Sequence, residues 1–155
     1  MIKMHTFSVC RKNDKIRDGF FDEIDGGINM TKTIINAKNA PAAVGPYVHA
    51  VKAGDFLFSS GQIGLIPETG ELCEGIVAQT EQVLKNLGAV LEEAGMTYSD
   101  VIKTTVFLDS ISDFATVNEI YARYFTGDAP ARSCVEVANL PKGALVEIEV
   151  IAVAK

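Results

Sequence analysis

The sequence predicts an α+β fold, one mixed β-sheet with two helices packed on a single face. Three observations carry this. A long apolar stripe recurs at spacings of three and four between residues 76 and 94, and a shorter one between 114 and 125. Alternating or β-branched runs stand before, between and after them, giving the order strands, helix, strand, helix, two strands.

Taken in order, residues 33–35 form a first short strand, followed by the loop Asn39-Ala40-Pro41. Pro46 in Gly45-Pro46-Tyr47 stops any helix and favours a turn. Residues 47–51 alternate and predict a strand, and residues 55–59 predict its partner after the turn at Gly54. Ser60-Gly61-Gln62 interrupts that strand with a glycine, which marks a place where backbone comes close to something. Pro67-Glu68-Thr69-Gly70 is a turn. Ile76, Thr80, Val83, Leu87, Val90 and Leu91 line the first helix, which Gly95 terminates. Residues 101–108 are rich in β-branched side chains and predict a strand. Ser112 or Asp113 caps the second helix, whose stripe is Phe114, Val117, Tyr121 and Phe125, with Gly127 and Pro130 beyond it. Residues 132–138 and 144–153 are the last strands, joined through residues 139–143. In the final strand Val146, Ile148, Val150 and Ala152 share one face, and Glu147 and Glu149 take the other. Two helices cannot cover both sides of such a sheet, so the pattern predicts a homo-oligomer packed sheet against sheet, with sites at the seams.

Composition narrows the function. At 155 residues and 16.6 kDa, with 48% hydrophobic and 22% charged residues, the chain is the size and balance of one globular domain. Fourteen Lys and Arg stand against twenty Asp and Glu, a net charge of -6, and the excess of acid lies wholly after residue 30. Nucleic-acid binding needs clustered cations and is not expected, nor is a membrane partner, since no apolar run approaches about 20 residues. Cys10, Cys73 and Cys134 are widely spaced and only two histidines are present, which predicts neither a disulfide framework nor a zinc site and suits a reducing cytoplasm. Residues 1–29 are charge-mixed and end on Gly26-Gly27 shortly before Met30. The codons of that glycine pair can spell a ribosome-binding sequence, so residues 1–29 are expected to be a translated leader or an N-terminal extension, with the working domain at 30–155.

Several residues point to chemistry. Arg132, Cys134 and Glu136 share one face of their strand, and Arg132 stands at its start beside a loop, where a guanidinium can grip a ligand carboxylate by two parallel hydrogen bonds. The alternative is an arginine paired to a surface acid. Glu147 is its candidate partner; within an apolar run it is either solvated or partly desolvated with a raised pKa. Cys134 lacks an evident base, since only His5 and His49 are on offer, and reads as a small thiol shaping a pocket. The flanks of Ser60-Gly61 are not those of a GxSxG elbow, so backbone N–H groups at Gly61 are the expected contribution. Asn118, on the core-facing stripe of the second helix, is expected to tie that helix to a loop near the site. No GxGxxG or P-loop occurs. Cofactor-free chemistry on a small acid, without metal, is what these residues predict.

NAPAAVGPYVHAV, SSGQIG, PETGEL, QTEQVLKNLGAVLEEAG, VIKTTVFL, DFATVNEIYARYF and PARSCVEVANLPKGALVEIEVIAVAK follow one another from about Thr31 to Lys155. In their order and spacing they resemble the RidA (YjgF) family, the reactive-intermediate deaminases. The resemblance implies a trimer of chorismate-mutase-like fold with ligand sites in clefts between subunits. It also implies hydrolysis of enamines and imines such as 2-aminoacrylate and 2-aminocrotonate to 2-keto acids and ammonia, with no cofactor. By the same resemblance Arg132 holds the substrate carboxylate and Glu147 positions water and moves protons, while Tyr47, Ser60, Gly61, Asn118 and Cys134 line the pocket. The chain departs from the family pattern at His49, where Gln is frequent, and in a shortened loop at residues 125–130, which bears on breadth of specificity. A non-catalytic 2-keto-acid sensor or holdase-like protein would use the same pocket. A ribonuclease activity has also been attached to the family, and the acidic charge argues against it.

Overall fold

The computed structural model describes residues 31–43 and 45–155; the leader expected at residues 1–29 lies outside them. The elements are β1 (Lys32–Ile35), β2 (Ala50–Ala53), β3 (Phe56–Ser59), β4 (Gln62–Ile63), α1 (Gly75–Glu93), β5 (Val101–Leu108), α2 (Phe114–Tyr121), β6 (Ala131–Glu136) and β7 (Val146–Val153). The strands form one sheet in the order β1-β2-β3-β7-β5-β6, with β4 also paired to β7. Every pairing is antiparallel except β5 with β6, which α2 connects. The mixed sheet follows from that crossover, since parallel neighbours cannot be joined by a tight turn.

Both helices lie on one face, as expected. Val83, Leu84, Leu87, Val90 and Leu91 of α1 and Val117, Ile120 and Tyr121 of α2 pack against Leu57, Val106, Leu108, Val146, Ile148, Val150 and Ala152 of the sheet. Sealing off each Leu or Val here contributes about 1.5–3 kcal/mol, so this layer dominates the stability of the subunit. α1 stops where Gly95 takes φ 72° and Met96 N–H reaches back to the Leu91 carbonyl at 2.8 Å.

Three local expectations need correction. Residues 47–49 are not strand: Gly45 and Pro46 turn the chain, with Tyr47 N–H bonded to the Gly45 carbonyl, and pairing with β3 begins only at Ala50. α2 ends at Tyr121, one turn early, although Phe125 remains in the core and stacks on Tyr121 at 4.2 Å. Asp113 is the N-cap residue of α2, one of the two expected, but neither it nor Ser112 makes the side-chain capping hydrogen bond. A single turn of 3-10 helix, Ile111–Asp113, precedes it instead, and Ser110 Oγ accepts the N–H of Ser112.

Registers fix the sides. Phe107 of β5 faces Glu147 of β7 on one flank and Val135 of β6 on the other, whereas Thr104 and Val106 face Val150 and Ile148, and Arg132 and Cys134. Paired residues share a face. Arg132, Cys134 and Glu136 therefore belong to the helix-covered side, and Glu147 and Glu149 to the opposite side. That opposite side also carries Ile34, Val51, Phe56, Phe58, Ile151 and Val153, and no element of the described chain covers it.

Candidate functional site

A cleft of about 440 Å³ opens at the edge of the uncovered face, lined by Tyr47, Ser60, Gly61, Ile63, Leu65, Pro141, Lys142 and Glu147. Its floor is made by an irregularity. Between the β3 pairing at Phe58–Ile151 and the β4 pairing at Gln62–Ile148, the β3–β4 side has one residue more than β7. The extra residue is a bulge, and Ser59 Oγ takes the Val150 N–H at 2.8 Å in place of a backbone carbonyl.

At the bulge Gly61 meets Glu147. A Cβ built on Gly61 would overlap Oε1 of Glu147 and lie 2.6 Å from its Cδ and 2.9 Å from its Cγ. The thing the backbone must approach is thus the Glu147 carboxyl group, and any larger residue at position 61 would displace it. Burial first, and then the like charge of Glu149, pushes the Glu147 carboxyl above its ordinary pKa. Of the two readings open for Glu147, the partly desolvated one is correct.

The neighbouring polar groups are fixed rather than reactive. Ser60 Oγ donates to the Val48 carbonyl at 2.6 Å and its N–H to the His49 carbonyl at 2.8 Å. Gln62 Nε2 donates to the Gly61 carbonyl at 3.2 Å. His49 is buried, with Nδ1 accepting from Ala37 N–H at 2.9 Å and Nε2 donating to the Pro41 carbonyl at 2.8 Å. Both of its nitrogens are occupied, so it stitches the 37–41 loop to the segment carrying Tyr47 and Ser60 and serves no base function.

Arg132 lies elsewhere. Its guanidinium sits 4.8 Å from the centre of the Tyr121 ring and 5.5 Å from that of Phe114, both on α2. No carboxylate lies within ion-pair distance of it among the described residues, where the salt bridges are Arg123–Glu81 and Lys155–Asp100. Contact with the faces of two rings is a cation–π arrangement that holds the guanidinium in place. The surface-pair reading of Arg132 fails, and so does its pairing with Glu147 within one chain, because the sheet stands between them. Cys134 follows on the same face, packed against the core, and burial raises its thiol pKa despite the opposing pull of Arg132. That suits a packing thiol and not a nucleophile.

Asn118 lies on α2 between Phe114 and Tyr121 in the helical period, and so on the Arg132 side. The tether expected of it is absent: its half-buried amide makes no side-chain hydrogen bond among the described residues.

The seven residues singled out by the sequence thus fall into two groups. Tyr47, Ser60, Gly61 and Glu147 share the cleft on one side, and Arg132, Asn118 and Cys134 lie on the other. Sequence reasoning missed Ile63, Leu65, Pro141 and Lys142. The one available signal was Lys142-Gly143, a turn pair whose backbone geometry brings it to the cleft mouth.

Comparison with known proteins agrees with this architecture. The family model described as endoribonuclease L-PSP matches residues 37–154. Reactive Intermediate Deaminase A, chloroplastic, of Arabidopsis thaliana is 52% identical over 125 residues, covering 80% of this chain and 67% of that protein. The 2-iminobutanoate/2-iminopropanoate deaminase of Escherichia coli K12 is 51% identical over 127 residues, 80% of this chain and 98% of that one. Among solved structures, E. coli TdcF with bound serine superposes with a TM-score of 0.77 at 44% identity, covering 79% of this chain and 99% of that chain. A Rid family protein from Yersinia pestis gives 0.78 at 54% identity, covering 80% and 100%.

Proposed function

The chain belongs to the endoribonuclease L-PSP family, the YjgF/RidA proteins, and from that premise we propose that it is a cofactor-independent deaminase of reactive enamines and imines. Its substrates are 2-aminoacrylate and 2-aminocrotonate in their imine forms, 2-iminopropanoate and 2-iminobutanoate, and its products are the 2-keto acids and ammonia. The observation that carries this reading is the Glu147 carboxyl group, partly desolvated and pressed against Gly61 in a cleft of small-molecule size.

The work divides by charge. Arg132 takes the substrate carboxylate in a two-pronged hydrogen bond, with Phe114 and Tyr121 holding the guanidinium plane. Glu147 accepts a proton from water as its oxygen attacks the imine carbon. The C–O bond forms as the C=N π pair moves to nitrogen, which takes the water proton back from Glu147. In the resulting carbinolamine Glu147 passes the hydroxyl proton to the amine, which leaves as ammonia as the C=O bond forms. A raised pKa suits a carboxyl group that must both take and return a proton near neutrality. Because the imine carbon is already electrophilic, acid–base help of about 10²- to 10⁴-fold suffices.

A site with Arg132 and Glu147 on opposite sides of one sheet is completed by another copy. The uncovered face, with Ile34, Phe56, Phe58 and Val135 all exposed, is the surface for that contact. The assembly is a homotrimer of chorismate-mutase-like subunits in which Glu147 of one subunit meets Arg132 of the partner subunit.

The test couples a serine or threonine dehydratase to this protein and follows keto-acid release. Wild type should accelerate it, and Arg132→Ala should abolish the acceleration. A folded wild-type oligomer that binds keto acid without acceleration would instead establish a metabolite-binding protein. RNA cleavage that persists equally in Glu147→Ala protein would belong to a contaminant and not to this site.

A further inference from the structure

Lys142 is the one described non-glycine residue with positive φ, at φ 57° and ψ 16°. Gly143 follows at φ 70°, and Ala144 N–H closes the turn on the Pro141 carbonyl at 3.1 Å. Two successive left-handed residues make a type I′ turn, which prefers Asn-Gly and disfavours a long side chain at its first central position. Strain of this kind clusters where a side chain is needed for function. The lysine lines the mouth of the cleft, and its Nζ makes only a long 3.5 Å contact with the Gly70 carbonyl. No acid pairs with it among the described residues.

The charges around it explain why a cation would be kept there. The carboxyl group lining the cleft is that of Glu147, Glu149 follows on the same face, and the whole chain carries a net charge of -6. Arg132 of the same chain is on the opposite side of the sheet. An anionic ligand entering the cleft from solvent therefore meets acid charge that Lys142, the one Lys or Arg lining the cleft, opposes.

We propose that Lys142 is an electrostatic guide residue, held in a strained turn so that its ammonium draws 2-imino and 2-keto acid anions into the cleft past Glu147. This rests on the reading of the cleft as the site of a small anionic acid. The guide acts on entry and affinity and takes no part in bond making, so its loss should appear in Kd and kcat/KM, and only at low salt.

Lys142→Asn removes the charge and fits the turn better than lysine, so a folding defect is not expected; Lys142→Arg keeps the charge. The affinity of each protein for 2-oxobutanoate is measured by calorimetry at about 0.01 M and about 1 M ionic strength, where charges reach about 30 Å and about 3 Å. Lys142→Asn should melt at or above wild type and bind about three- to tenfold more weakly at low salt, with the gap closing at high salt. Lys142→Arg should track wild type. Binding of Lys142→Asn within about twofold of wild type at low salt, or a deficit equal at both ionic strengths, would overturn the proposal. Turnover measured alongside separates it from the deaminase reading. Salt-sensitive, Lys142-dependent binding without ammonia release would sink the deaminase and leave the guide, whereas rapid turnover with an unaffected Lys142→Asn would do the reverse.

Discussion

The two faces of the sheet are built to different ends. On the helix side Val146, Ile148, Val150 and Ala152 alternate into a layer of leucines and valines with essentially no exposure, and the subunit's own helices finish the job. On the other side Phe56 and Phe58 stand about half-exposed beside Ile34 and Val135, with Glu147 and Glu149 among them. The first face is complete within one chain and specifies the fold. The second is incomplete, and the proposed site spans both: Glu147, proposed as the acid–base group, lies there, while Arg132, proposed as the carboxylate clamp, lies on the first.

The contrast can be broken most severely at the site. Glu147→Gln should lower turnover by about 10²- to 10⁴-fold in the dehydratase-coupled assay while leaving the melting temperature near that of wild type. Gly61→Ala comes next, because its Cβ occupies the space of the Glu147 carboxyl group. It should cost about 10- to 100-fold in kcat with an unchanged oligomer, and an active Gly61→Ala enzyme would remove the reason for a glycine there.

Stability variants sharpen the difference between the faces themselves. Leu87→Ala, on the finished side, should destabilise the subunit by about 2–5 kcal/mol in denaturant titration. Phe58→Asp, on the unfinished side, should leave secondary structure by circular dichroism intact and weaken assembly by about 2 kcal/mol or more per contact, read by light scattering. Equal unfolding by both would mean that the faces are not distinct.

The smallest effect is in pH. Glu149 is the like charge that adds to burial in raising the Glu147 carboxyl. Glu149→Gln removes that charge, so Glu147 ionises at lower pH. The acidic limb of the kcat/KM profile, where activity is lost as Glu147 is protonated, should move down. Movement upward would contradict the assignment of that limb to Glu147.

Much of this was legible in the sequence wherever a single period ran unbroken. β5 and α1 lie at their expected positions, and β7 begins two residues inside the expected strand; α1 and β7 repeat one spacing over eight or more residues, and β5 is rich in β-branched side chains. Gly61 was legible too, as a glycine interrupting a strand. β2 was misplaced because Tyr47 and Val48 alternate as a strand does, while the turn at Gly45 and Pro46 and the hydrogen bonds of His49 decide otherwise. The association of Arg132 with Glu147 failed within the chain for a different reason. A two-residue period tells which residues of a strand share a side, but not which side of the sheet that is until the registers of β6 on β5 and β5 on β7 are known. Lys142 escaped because nothing local announces that a turn will close over a distant bulge.

The central claim is that each site is assembled from Glu147 of one subunit and Arg132 of its neighbour. The most direct measurement mixes Arg132→Ala and Glu147→Gln proteins, each inactive alone, and lets them reassociate in equal amounts after mild dissociation. Random trimers would restore about a quarter of wild-type turnover, since that fraction of interfaces pairs an intact Arg132 with an intact Glu147. No recovery, in mixed oligomers verified by mass spectrometry, would show that one chain supplies both residues and contradict the account.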